Sequence, residues 1–206
     1  MRKIISVMLV IASLMFMTSC AGAGKMNKDI EDLYKKVCPA DEALELAREK
    51  GAVVIEDRGV TSGKDSWNDF LKTASAGKTA SVIIAKYYTL DKDHVSEELY
   101  EQEKDQYPCL YFYLVEYDGK KYSVRVRDCS LEEEEKQEFY GCLLHFTGDA
   151  PNEDSLYEKY EYYVLADDPE VTWEKIQETL FSSDSAIAGS IRFCHVYEDY
   201  TGWKGK

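Results

Sequence analysis

The feature that most constrains this 206-residue chain is a pair of alternating apolar runs joined by Asp-Gly. Residues 109–128 read CLYFYLVEYDGKKYSVRVRD, with Asp118 and Gly119 between the two halves. An Asp-Gly pair flanked by alternating apolar residues predicts a β-hairpin with a two-residue turn. Such a turn places Val115 opposite Tyr122, and slippage by one residue would move every side chain to the other face. The hairpin therefore predicts two well-registered strands within a larger sheet.

Further apolar runs add strands to this hairpin, and segments with helical spacing separate them. The predicted strands cover residues 52–56, 79–89, 109–117, 120–128, 139–147, 156–166 and 191–199. The predicted helices cover residues 30–37, 40–50, 65–77 and 168–181, and a capping box at Ser130 predicts a short acidic helix behind it. Residues 58–64 are predicted to be a loop. Since most strands follow one another directly, we predict an α+β fold: a mainly antiparallel sheet of about five to six strands with helices packed on one side.

The N-terminal residues carry an export pattern. Two basic residues precede an apolar run over residues 4–17, which is shorter than the roughly 20 residues of a membrane-spanning helix. The following MTSC, residues 17–20, resembles the lipobox of bacterial lipoproteins, in which the cysteine receives lipid and becomes the mature N-terminus. The resemblance implies lipid attachment at Cys20. The alternative is ordinary signal cleavage at the AGA of residues 21–23.

These patterns predict the organisation of the whole chain. Residues 1–19 form a signal peptide, 20–28 a tether, 29–201 a single α+β domain and 202–206 a tail. No repeat and no long internal linker divides the domain. The predicted location is outside the cytoplasm, with the chain anchored to the cell membrane by lipid.

The charge of the chain restricts its partners. There are 39 acidic and 25 basic side chains, a formal net charge of −14. Such a surface repels nucleic acid and favours a cationic protein as partner. An acidic insertion ends at Pro108, and we predict that its seven carboxylates bind such a partner: Asp91, Asp93, Glu97, Glu98, Glu101, Glu103 and Asp105. The alternative is an exposed loop or marginal helix that merely solubilises the chain.

The sequence predicts no catalytic residues, no metal and no cofactor. Cys142 and His145 stand three apart on a predicted strand, so their side chains point to opposite faces. Cys194 and His195 are adjacent and diverge for the same reason, while a pairing across strands, such as Cys142 with His195, stays open. The acidic insertion lacks the glycine that an EF-hand loop requires at its sixth position.

The cysteines beyond Cys20 are five in number, and none belongs to a C-x-x-C motif. Export would permit disulfides, but the odd count leaves at least one cysteine unpaired, and the connectivity cannot be read from the sequence. The default prediction is that they are small buried residues.

Three stretches resemble a family of small lipoproteins from Gram-positive bacteria whose shared domain has no assigned function. They are GAVVIEDRGV (51–60), WNDFLKTASAGKTASVIIAKYYT (67–89) and YDGKKYSVRVRD (117–128). The chain departs from the family pattern where the acidic insertion, residues 91–108, separates the long strand from the hairpin. The resemblance implies a surface location and an α+β sheet, and it assigns no catalytic or binding residues.

Together these patterns favour a surface-displayed lipoprotein that binds a partner without catalysis. One alternative is an extracytoplasmic enzyme of an unrecognised type. Another is an inhibitor or protective factor that binds a cationic protein. The sequence indicates neither the ligand nor the oligomeric state.

Overall fold

The computed structural model describes residues 28–57, 59–133, 136–153 and 155–204. The predicted signal peptide, Cys20 and nearly all of the tether lie outside the described residues, so these assignments stay predictions. Within the described ranges, no helix is both long enough and apolar enough to span a membrane.

The described residues form helices and strands in two sheets. The helices are α1 (Lys28–Lys35), α2 (Ala40–Glu49), α3 (Lys64–Ser75), α4 (Glu97–Glu103), α5 (Trp173–Phe181) and α6 (Ser185–Ala188). The strands are β1 (Val53–Glu56), β2 (Gly59–Ser62), β3 (Ala80–Tyr88), β4 (Cys109–Tyr117), β5 (Tyr122–Asp128), β6 (Glu138–Tyr140), β7 (Cys142–Asp149), β8 (Lys159–Ala166) and β9 (Phe193–Thr201). One sheet has the order β2-β1-β3-β4-β5-β6 and the other β7-β8-β9. Every strand pair is antiparallel except β1 with β3, which confirms the predicted α+β class with a mainly antiparallel sheet.

Helices α1 and α2 cover one face of the six-stranded sheet. Ala43, Leu44 and Ala47 recur at helical spacing along α2 and are buried, so this helix has one apolar side. They share a core cluster with Phe112 and Leu114 of β4, which are fully buried. Burial of one large apolar side chain contributes about 1.5–3 kcal/mol, so this layer anchors both helices to the sheet.

The opposite face of the same sheet is covered by α3 and by the three-stranded sheet. Trp67 of α3 and Tyr197 of β9 stack with ring centroids 4.7 Å apart, in a cluster that also holds Val115. Helices therefore lie on both faces of the six-stranded sheet, rather than on one side. The reason is that β3 is apolar on both faces, with Ile83 and Ile84 each buried, and both faces require a cover.

The chain passes from one sheet to the other at Gly141. Residues 139–147 form two strands instead of the single predicted one, because β6 ends the six-stranded sheet and β7 begins the second. A Cβ atom at residue 141 would lie 3.0 Å from the carbonyl oxygen of Asp167. Because glycine has no side chain, the backbone at residue 141 can lie close to Asp167, at the point where the chain leaves the six-stranded sheet and enters the three-stranded one.

The predicted hairpin has the expected faces but a wider turn. Val115 pairs with Val124 rather than Tyr122, so four residues, 118–121, connect the strands. The Asp118 carboxylate accepts hydrogen bonds from the backbone N–H groups of the two lysines at 120 and 121, both at 2.8 Å. Because the register differs from the prediction by two residues, every side chain keeps its predicted face.

Two further local predictions are wrong. The capping box at Ser130 starts no helix, since residues 131–133 and 136–137 are not helical. Both the N–H and the O–H of Ser130 donate to the Asp128 carboxylate, at 2.8 and 2.7 Å. The serine predicted to cap a helix therefore forms a turn with Asp128 instead. The predicted loop at residues 58–64 contains β2, which pairs with β1.

Candidate functional site

The acidic segment, residues 91–105, is built around α4. This helix begins after Ser96, whose hydroxyl accepts a hydrogen bond from the N–H of Leu99, and Glu97 and Glu98 lie in its first turn. Carboxylates at that end interact favourably with the helix dipole. No residue of α4 is buried, and even Leu99 is 43% exposed. Local capping rather than core packing therefore stabilises the helix.

All seven predicted carboxylates belong to this segment by their sequence positions. Six of them are exposed and Glu103 is half-buried. Asp91 lies 2.7 Å from Nδ1 of His94, and Glu101 pairs with Lys104. Exposed pairs of this kind contribute only about 0–1 kcal/mol. Within the described residues, the members of the segment that form no salt bridge are Asp93, Glu97, Glu98, Glu103 and Asp105.

A cleft of about 530 Å³ opens where the acidic segment rejoins the sheet. Asp105 lines it from the segment, Tyr107 from just after the segment, Tyr111 from β4, Asp128 from the end of β5 and Pro39 from the residue before α2. Asp105 is the member of the predicted set that lines the cleft. The other six carboxylates precede it in the segment and are not part of the lining.

The chemistry of this cleft suits a cation. Among the described residues, its lining includes two carboxylates, Asp105 and Asp128, and no lysine, arginine or histidine. Burial and the nearby Cys109 raise the pKa of Tyr111, so its hydroxyl is neutral at neutral pH and the negative charge comes from the carboxylates. A cation near the rings of Tyr107 and Tyr111 would gain a cation–π attraction in addition.

A second polar cluster lies between the two sheets. Nζ of Lys86, on β3, donates to the carboxylate of Glu198 and to the carbonyl oxygen of His195, both at 3.0 Å. The same ammonium lies 5.0 Å from the ring centroid of Tyr113. Only 4% of the Lys86 side chain is exposed. Burial and the charge of Lys86 lower the pKa of His195 to about 4, so the imidazole is neutral at neutral pH.

This buried cluster was not predicted from the sequence, although one signal was present. Lys86 interrupts the apolar run of the strand now seen as β3. A lysine in the middle of a strand that is apolar on both faces requires a buried acceptor, because an unpaired buried charge is costly. Its acceptors lie on β9, more than a hundred residues later, which no local pattern reveals. The arrangement fastens β9 to β3, and none of its charged groups lines the cleft.

Cys142 and His195, which the sequence left open as a nucleophile and base paired across strands, do not meet in the part of the chain that the structure describes. Cys142 is on β7 and His195 on β9, with β8 between them, and their pairing partners on β8 are two residues apart. Two strand spacings and this offset separate the backbones by about 12 Å. Across the described ranges, no group of three or more His, Cys, Asp or Glu side chains is arranged to hold a metal ion.

Comparison with known proteins gives no relative. No protein-family model, no curated protein and no solved structure matches the chain significantly. The resemblance to small Gram-positive lipoproteins stays a prediction.

Proposed function

We propose that this chain is an extracytoplasmic, lipid-anchored protein that binds a cationic protein without catalysis, through the acidic segment and the adjoining cleft. The observation that carries the proposal is the placement of α4. This helix buries none of its side chains, and two residues after its end the chain reaches Asp105, which lines a cleft whose own charges are negative. A helix that served only to complete the core would bury an apolar stripe.

The electrostatics of such a surface make a specific contribution to binding. Exposed carboxylates gain little energy individually, but a cluster of one sign steers an oppositely charged partner and accelerates association. The interaction is screened by salt, because the Debye length falls from about 30 Å at 0.01 M to about 8 Å at 0.15 M. Binding through residues 91–105 should therefore weaken steeply as salt is added.

The cleft supplies the second half of the proposed site. Its volume of about 530 Å³ exceeds that of one lysine or arginine side chain, and such a side chain of the partner would be attracted to Asp105, Asp128 and the ring of Tyr111. Such a contact restricts the partner to proteins that project a basic side chain from their surface. The cleft thus adds selectivity to the steering that the acidic segment provides.

The test compares two variants of equal net charge. One replaces four glutamates of the segment by glutamine, and the other does the same at four exposed glutamates elsewhere. The first set is Glu97, Glu98, Glu101 and Glu103, and the second is Glu49, Glu153, Glu158 and Glu170. Each immobilised chain is probed with a lysine decapeptide and with the basic proteins of an envelope extract, at 0.02 and 0.15 M salt.

The wild type and the second variant should bind both probes at low salt, and the first variant should bind at least about tenfold more weakly. Equal losses in the two variants would show that net charge alone acts, and would contradict docking at the segment. Failure of the wild type to retain any basic protein at low salt would contradict the proposed function as a whole.

A further inference from the structure

Two buried cysteines meet beneath the helices that cover the first face of the sheet. Cys38 lies in the loop between α1 and α2, and Cys129 directly follows β5. They are 7% and 1% exposed, and both belong to the core cluster that contains Leu110. None of the cysteines in the described ranges is in a disulfide in this structure.

The backbones of these two residues are bonded to each other. The N–H of Cys38 donates to the carbonyl oxygen of Cys129 over 3.0 Å. One N–H···O=C bond keeps the two Cα atoms within about 6 Å of each other, which is compatible with the range of about 4.4–6.8 Å that disulfides span. The N–H of Cys129 donates in turn to Leu110, also at 3.0 Å, so this side of the contact is fixed to β4.

The environment of Cys129 is consistent with this placement. Burial, then Asp128, then Cys38 raise the pKa of Cys129 to about 11. An electrostatic influence of this kind acts over several ångströms, so it places Cys38 in the neighbourhood of Cys129, in agreement with the hydrogen bond between their backbones.

The other described cysteines cannot take part in this contact. Cys109 precedes Leu110 on β4, so its side chain points to the face of the sheet away from the cluster that holds Cys129. Cys142 and Cys194 belong to the three-stranded sheet, where they lie on opposite faces with β8 between them. The fold thus selects one pairing from the several that the sequence leaves open.

We propose that Cys38 and Cys129 form an intramolecular disulfide in an oxidising compartment. The bond would lie directly beside the cleft, since Cys129 and Pro39 both line it. It would tie the start of α2 to the end of β5, and residues of both regions line the cleft. The disulfide would hold these two parts of the lining together, independently of what the acidic segment binds.

The reaction is an exchange with a low-molecular-weight disulfide such as oxidised glutathione. The thiolate of Cys38, the more exposed of the two, attacks one sulfur of the reagent, forms a mixed disulfide and releases one thiol. Cys129 then loses its proton, and its thiolate attacks the sulfur of Cys38 and releases the second thiol. The protein gives up two protons and two electrons, and the reagent is reduced to two thiols. Because buried thiols with raised pKa values react slowly, oxidation is expected to accompany folding.

Mass mapping of the wild-type chain tests the assignment without any substitution. The full chain, extracted in detergent, is reduced, unfolded, and refolded with oxidised glutathione. It is then unfolded again with excess iodoacetamide, digested and measured. The expected result is a linked peptide pair containing Cys38 and Cys129, two hydrogens lighter than the separate peptides, with alkylation of Cys109, Cys142 and Cys194. Alkylation of both Cys38 and Cys129, or a link from either to a different cysteine, would overturn the proposal.

A thermal measurement with matched variants provides an independent readout. The refolded wild type should melt at a lower temperature after reduction, because the cross-link restricts the unfolded chain. Cys38→Ser should abolish this effect of the reductant on Tm, whereas Cys109→Ser should leave the effect intact. A Tm of the wild type that does not respond to the reductant would contradict a disulfide at this position.

Discussion

His195→Phe should make the stability of the protein less sensitive to acid, because the fold keeps this histidine uncharged. The imidazole ring lies 4.7 Å from Tyr162 and 6.2 Å from Trp173 between centroids. Within the described residues its Nε2 is buried without a hydrogen-bond partner, and Nδ1 lies 3.8 Å from the Glu198 carboxylate. Burial and then the charge of Lys86 lower the pKa from 6.5 to about 4, against a smaller opposing effect of Glu198.

Proton linkage gives the sign and the size of the effect. The unfolded chain binds a proton at this residue below about pH 6.5, and the folded chain does so only near pH 4. The contribution to stability is therefore fully present above pH 6.5 and is lost as the pH falls from 6.5 towards 4. Since one pKa unit corresponds to about 1.4 kcal/mol, the loss between pH 7.5 and 5.0 is about 2 kcal/mol.

Urea unfolding at pH 7.5 and 5.0, followed by circular dichroism, measures this loss. The free energy of unfolding of the wild type should fall by about 2 kcal/mol more over the interval than that of His195→Phe. His94→Gln, at an exposed histidine of the acidic segment, should behave as the wild type. The contributions of carboxylates common to all three chains to the pH dependence of the free energy of unfolding cancel when the chains are compared. A pH response of His195→Phe within about 0.5 kcal/mol of the wild type would refute the reasoning.

Lys86→Met leaves the largely buried Glu198 without its partner, so chemical denaturation should show a loss of about 3–5 kcal/mol. Lys104→Met breaks an exposed pair and should cost far less, because solvent screens such a pair; equal losses would contradict a buried role for Lys86. Gly119→Val places a β-branched residue at φ +96° and should cost about 1–2 kcal/mol, with Gly119→Asn costing less; unchanged melting of both would show that the turn is irrelevant to stability. Cys20→Ala should release the chain from the membrane in detergent partitioning, and firm retention would contradict lipid attachment.

The parts of the fold that could be predicted depend on local periodicity. The alternation in residues 109–128 assigned each side chain correctly to a face of the sheet. The length of the turn could not be predicted in this way, because the Asp118 carboxylate accepts hydrogen bonds from residues 120 and 121 and stabilises a connection of four residues instead of two. The start of α5 shows the same limit. Asp168 was predicted to begin the helix, yet the hydroxyl of Thr172 accepts from the N–H of Lys175 and begins it instead. Competing polar caps decide such boundaries, and their energies differ by about 1 kcal/mol or less.

The features that could not be predicted depend on where distant segments meet. Residues 139–147 carry one continuous strand pattern, and only the close approach of Asp167 to Gly141 shows where the chain changes sheet. The exposure of the acidic segment could be predicted because it lacks an apolar stripe. The cleft beside it could not, since its walls come from residues as far apart as Pro39 and Ser130.

The position of β9 has a consequence for the order of folding. This strand lies late in the chain but contacts β2, where the N–H of Val60 donates to the Asp199 carboxylate across 139 residues. Val196 and Tyr197 complete the core between the two sheets. Because distant contacts require loop closure before they contribute energy, they slow folding, and the part of the large sheet that the three-stranded sheet covers stays open until β9 docks. A chain in which β9 has not yet docked would expose apolar side chains such as Val115 and Val124 to chaperones or to aggregation.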